Sequence, residues 1–157
     1  MVQLDARPGT YVIIMQTDKA VRARVGSIGF IDIKVGHYLY IGSAFGPGGI
    51  KARVSRHYKT FKTRHWHLDY LREYLEPVEV WFTHDKQRRE HDWASLLASQ
   101  PKLEPVSNFG CSDCRCNSHL FFQFPRPGVN QFRNIVADRI TKHSAVLSCK
   151  PHDISSS

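Results

Sequence analysis

The chain has no run of 18 apolar residues and no charged leader followed by an apolar stretch, so neither a membrane-spanning helix nor a secretory signal is expected. Cysteine is sparse. Of the four, three crowd into Cys111-Ser-Asp-Cys114-Arg-Cys116 and Cys149 stands apart, which does not fit a disulfide framework spread through a secreted fold. A cytoplasmic protein that does not engage membranes is the expectation. Acidic residues also run short, with 14 Asp and Glu against 22 Lys and Arg and a net charge of +8. That balance favours a polyanionic partner over an acidic protein or a neutral metabolite, although solubility alone would account for it. No internal repeat is visible, and 157 residues, 41% of them hydrophobic, suffice for one packed core and are short for two.

What is present is organised around residues 36–57, GHYLYIGSAFGPGGIKARVSRH. Tyr38 and Tyr40 alternate with Leu39 and Ile41, the period-2 pattern of a half-buried strand with tyrosines on one face and aliphatics on the other. Gly42 and Ser43 end it, and the loop Phe45-Gly46-Pro47-Gly48-Gly49 precedes a helix starting near Ile50. Ile50, Val54, Tyr58 and Phe61 form the stripe that packs on a sheet. Arg53 and His57 lie beside that stripe, one turn apart, so a cation and an imidazole are presented together near the tyrosine strand.

Upstream, residues 10–16 are a nearly continuous apolar run of strand length, expected as a central strand. Residues 20–26 and 29–34 read as a hairpin. Downstream, Leu68, Leu71 and Leu75 predict a helix over 65–75 ended by Pro77, then a strand over 78–83 and a helix over 87–99. Residues 108–118 form a turn-rich loop, 119–124 an aromatic strand, and 129–140 a short helix with Phe132, Val136 and Ile140 on one face. The polar stretch 141–157 is expected to be a flexible tail.

Gly9-Thr10-Tyr11 and Tyr40-Ile41-Gly42, followed by Arg53 and His57 on one helix face, resemble the GIY-YIG nuclease superfamily. Tyr40-Ile-Gly-Ser-Ala, Gly48-Gly-Ile-Lys-Ala-Arg53, Trp66-His-Leu-Asp-Tyr-Leu71 and Ser112-Asp-Cys-Arg-Cys-Asn-Ser-His-Leu120 are similar to a stand-alone branch of it, over residues 9–124. The resemblance implies an α+β domain over 9–140, a small mainly antiparallel sheet flanked by helices. It further implies hydrolysis of DNA phosphodiesters with one divalent ion, Mg²⁺ or Mn²⁺. The catalytic roles fall on Tyr11, Tyr40, Arg53 and His57, and the metal on Glu90. Thr10 occupies the middle of the first tripeptide, and an extra hairpin over 20–34 absorbs the long spacing between Tyr11 and Tyr40 at small entropic cost.

Hydrolysis of a phosphodiester needs a base for water, positive charge for the pentavalent phosphorus and help for the departing oxyanion. Tyr11 or His57 could relay the proton, Tyr40 bond a phosphate oxygen, Arg53 clamp the phosphate, and Glu90 carry the metal. Trp93, Ala94 and Leu97 lie three, four and seven positions after Glu90, which puts this carboxylate on the apolar face of its helix and points it to a core or cleft. Ser43, Lys51, Arg56, Lys59, Lys62 and Arg64 are candidate DNA contacts, with a solvated basic face as the bland alternative. His65, His67 and Asp69 spread around a helix axis and are read as structural or backbone-contacting. Cys111, Cys114, Cys116 and His119 could form a Cys₃His zinc site, but the single residue between Cys114 and Cys116 is tighter than usual, so thiols without metal are the default. Two rivals to the enzyme remain: a non-catalytic nucleic-acid-binding module of the same fold, and a protein-interaction domain using the cysteine loop and basic tail.

Overall fold

The computed structural model describes residues 3–59, 67–106 and 118–150. It is α+β: a six-stranded antiparallel sheet, a separate two-stranded sheet and four α-helices among the described residues. The first strand, β1 (Gly9–Thr17), is buried from Gly9 to Met15. Transfer of each large apolar side chain there from water contributes about 1.5–3 kcal/mol. β1 pairs along its whole length with β4 (Gly36–Ala44), Gly9 opposite Ala44 and Thr17 opposite Gly36. On its other side lies β5 (Glu76–Thr83). These strands sit inside the sheet, as the continuous apolar run of β1 requires, because a strand flanked on both edges and covered on both faces has no polar side to show.

Between β1 and β4 the chain leaves the main sheet to form the expected hairpin, β2 (Val21–Val25) and β3 (Gly29–Ile33), joined by a 3₁₀ turn. Its Ala23, Val25 and Ile33 join one face of the main core, together with Ile50 and Val54 of α1 (Gly49–Tyr58) and Leu68 and Leu71 of α2 (His67–Leu71). Tyr11, Ile13 and Met15 of β1 and Tyr38 of β4 point into that layer. Val12, Ile14, Leu39 and Ile41 point the opposite way, onto α3 (Glu90–Ala98) and α4 (Val129–Arg139). The period-2 alternation of both strands therefore sorts side chains into two helical layers. Two strands complete one edge: the short β6 (Glu104–Pro105) and β7 (Leu120–Gln123), which pairs with β4.

Two expectations are corrected. Residues 141–157 were expected to be a flexible tail, yet β8 (Leu147–Cys149) pairs with Val80, Trp81 and Phe82 and forms the other edge of the sheet. Cys149 and Val146 are buried, and the Ser148 hydroxyl donates to Glu79 at 2.6 Å, so a three-residue strand is held by core contacts and one buried carboxylate. Residues 151–157 lie outside those described. Pro77, expected to terminate a helix, instead lies within β5, whose register against β1 shifts between Ile14 and Met15. Among the described residues β8 pairs with 80–82, and Pro77 sits beside the register irregularity, a setting in which strands tolerate proline. The described helix α2 is correspondingly shorter than expected.

Candidate active site

The ends of β1 and β4 that carry Tyr11 and Tyr40 pack closely because two glycines leave room for neighbouring atoms. Tyr11 is the direct partner of Gly42. A Cβ on Gly42 would lie 2.5 Å from Cζ of Tyr11 and closer still to its hydroxyl, so the tyrosine ring lies flat across the only residue that could accept it. Gly9 is as constrained, with the Thr83 carbonyl and Ile50 Cδ1 occupying the space a side chain would need. Both motif glycines are thus explained by close approach.

The Tyr11 hydroxyl meets Nε2 of His57 at 3.0 Å, and both residues are almost fully buried. The Tyr40 ring stands edge-on to the His57 ring, centroids 5.5 Å apart. His57 occupies the last turn of α1, and Arg72 fixes that turn by donating from Nε to the His57 carbonyl and from Nη2 to the Tyr58 carbonyl, each at 2.8 Å. These are carbonyls that a helix C-terminus leaves without intrahelical partners. Arg53, one turn earlier, donates from Nη1 to the Ser43 carbonyl at 3.1 Å. Burial pushes the Tyr11 hydroxyl well above the usual phenol range, the charges of Tyr40 and Glu90 push the same way, and Arg53 opposes through charge and a hydrogen bond. A protonated Tyr11 that gives its proton onward as it takes another suits this setting better than a standing phenolate.

Glu90 arrives from the other layer, as the first residue of α3. Thr10 explains how it is placed: this buried hydroxyl accepts the Arg89 N–H at 3.1 Å and so ties the start of α3 to β1 next to Tyr11. An aliphatic residue at position 10 could not make that bond. The Glu90 side chain is 19% exposed, consistent with the expected orientation toward a cleft, and its Oε1 lies 3.5 Å from Nδ1 of His119. The structure therefore brings Tyr11, Tyr40, Arg53, His57 and Glu90 to one sheet end.

The remaining candidates divide. Lys51 and Lys59 are exposed and Ser43 is half-buried. Arg56 instead grips the buried Asp69 with two bonds, 3.1 and 3.2 Å, joining α1 to α2. That pairing gives Arg56 a structural role between the two helices. Lys62 and Arg64 lie outside the described residues, as do His65, Cys111, Cys114 and Cys116. His119, considered as a zinc ligand, faces Glu90. Its peptide also holds β4, since the His119 carbonyl accepts the Ile41 N–H at 2.9 Å. Sequence reasoning missed the Glu90–His119 proximity, because two residues 29 positions apart meet only through strand pairing. It also missed Arg88, whose guanidinium carbon lies 4.6 Å from the ring centroid of Phe45.

Fold and site together define a small α+β domain with a tyrosine, histidine, arginine and carboxylate cluster at one end of its sheet. The chain belongs to the family described as Domain of unknown function DUF123, whose model matches residues 10–146. No curated protein and no solved structure matches it. No helix among the described residues is long and apolar enough to cross a membrane.

Proposed function

We propose that this chain is a metal-dependent endonuclease of the GIY-YIG kind, hydrolysing DNA phosphodiester bonds. The observation that carries the reading is the buried 3.0 Å contact between the Tyr11 hydroxyl and His57 Nε2, with Arg53 acting on the same hydroxyl. A buried phenol held in that way has a proton acceptor behind it and an arginine beside it. Water attacking phosphorus passes its proton to the Tyr11 oxygen while Tyr11 passes its own to Nε2 of His57, so no free phenolate accumulates. Arg53, oriented by the Ser43 carbonyl, holds a non-bridging phosphate oxygen as negative charge grows there, and the Tyr40 hydroxyl bonds a second.

Glu90 is a hard oxygen donor, and among the described residues no three His, Cys, Asp or Glu side chains gather into a metal cage. One carboxylate completed by water and substrate phosphate is the donor set that Mg²⁺ or Mn²⁺ accepts. Bound there, such an ion supplies positive charge to the leaving oxygen. Glu90 would hold it, and the start of α3, anchored on Thr10, fixes where that carboxylate stands.

The test is incubation of pure protein with branched, flapped, single-stranded and duplex DNA in the presence of Mg²⁺ or Mn²⁺. Metal-dependent cleavage of at least one substrate is expected, and Glu90→Gln should abolish it while leaving metal-free DNA binding in place. DNA binding without cleavage of any substrate would replace the enzyme with a non-catalytic binding module. Unchanged metal dependence in Glu90→Gln would remove Glu90 as the ligand.

A further inference from the structure

Two loops border the candidate site, and a cation–π contact joins them. One joins β4 to α1, and the other leads from β5 into α3. Arg88 of the second lies over the ring of Phe45 in the first, 4.6 Å from its centroid. Phe45 follows Ser43, the anchor of Arg53, by two residues, and Arg88 precedes Glu90 by two. The pair therefore stands next to the groups assigned to the reacting phosphate and to the metal.

Core packing does not account for Phe45. It is half-buried, it belongs to neither hydrophobic cluster, and a Cβ on the adjoining Gly46 would meet nothing within 4 Å. Arg88 is exposed. An exposed arginine over a ring is a weak interaction by itself. A planar apolar face with an exposed cation above it is also what a nucleotide needs, since every base has a π-face and every linkage a negative charge.

We infer that Phe45 and Arg88 form a nucleotide subsite beside the scissile phosphate, the ring stacking on an unpaired base and the guanidinium contacting the adjoining phosphate. This rests on the reading of the site as one for DNA. A base inside a duplex presents its faces to its neighbours, so the subsite selects single-stranded or splayed DNA over intact duplex.

The experiment is metal-free binding, read by fluorescence anisotropy, of an oligothymidylate single strand, a splayed duplex and a blunt duplex. Phe45→Ala should weaken the first two by about 5- to 150-fold, the range that loss of one stacked base gives, and the blunt duplex less. Phe45→Trp should bind as the parent does. Phe45→Leu, which keeps bulk without a flat face, should bind as poorly as Phe45→Ala. Arg88→Ala should reduce the slope of log K against log salt by about 0.7 on the single strand, and Arg88→Lys should preserve it. Parent-like binding of all three probes by Phe45→Ala, or preference restored by Phe45→Leu, would overturn the subsite alone. A parent that binds no DNA would overturn it together with the DNA reading. A parent that binds these probes but cleaves nothing, with Phe45→Ala still impaired, would sink the nuclease and leave the subsite standing.

Discussion

Replacing Gly42 by alanine should disturb the Tyr11–His57 pair while leaving every residue of the proposed site unsubstituted. The new Cβ would stand 2.5 Å from Tyr11 Cζ, whereas ordinary contact begins near 3.4 Å, so the ring must give by about 0.9 Å. Tyr11 is 1% exposed and packed in the α1 layer, so it has no solvent to move into. A shift toward His57 turns a 3.0 Å hydrogen bond into overlap, and a shift away breaks it. Overpacking of this kind costs about 1–3 kcal/mol. For a chain of this size that lowers Tm by about 2–12 °C. Misplacing a proton relay by about 1 Å can cost on the order of 10²-fold in rate. Calorimetry and single-turnover cleavage would measure the two effects, with Gly46→Ala, which meets open space, as a control expected within about 0.5 kcal/mol of the parent. A Gly42→Ala protein that melts and cleaves like the parent would refute the close-approach account of the motif.

Thr10→Val keeps the shape of that buried residue but leaves the Arg89 N–H without its acceptor, so stability should fall by about 1–3 kcal/mol in denaturant titration. A smaller loss would mean that α3 is anchored elsewhere. Arg53→Ala should lower the single-turnover rate by ~10²-fold or more while preserving the far-ultraviolet circular dichroism spectrum, and a parent-like rate would take Arg53 out of the chemistry. Glu79 supplies the pH dependence. Burial pushes its carboxyl up, but hydrogen bonds from Ser148, Trp81 and Arg126 outweigh that and hold it below the ordinary 4.5. A lowered carboxylate contributes stability above its unfolded value that is lost as pH falls through the folded one. Glu79→Gln should therefore melt below the parent at neutral pH, with the two Tm curves converging under pH 4.5; parallel curves would show that the charge is irrelevant to holding β8.

Local rules made much of this molecule legible. The alternation in β1 and β4 predicts which side chains share a layer, and the four-residue step in α1 predicts that Arg53 and His57 stand together. The extra hairpin, the orientation of Glu90 and the placement of Tyr11 near Tyr40 follow from period, turn residues and resemblance. What failed did so at long range. β8 reads as polar tail because three residues carry too little pattern of their own, and only the edge of β5 and the Glu79 carboxylate make them a strand. Pro77 reads as a helix stop because sequence cannot reveal that β5 begins one residue before it and shifts register against β1 there. The Arg56–Asp69 pair is not legible in the sequence because its members are 13 positions apart on different helices. The elements and the faces they bury are legible in the residues alone, since these depend on spacing within a few residues of chain. Which distant groups meet, Tyr11 with His57, Thr10 with Arg89 and Phe45 with Arg88, depends on strand register and helix docking across long stretches of chain, which no local pattern encodes.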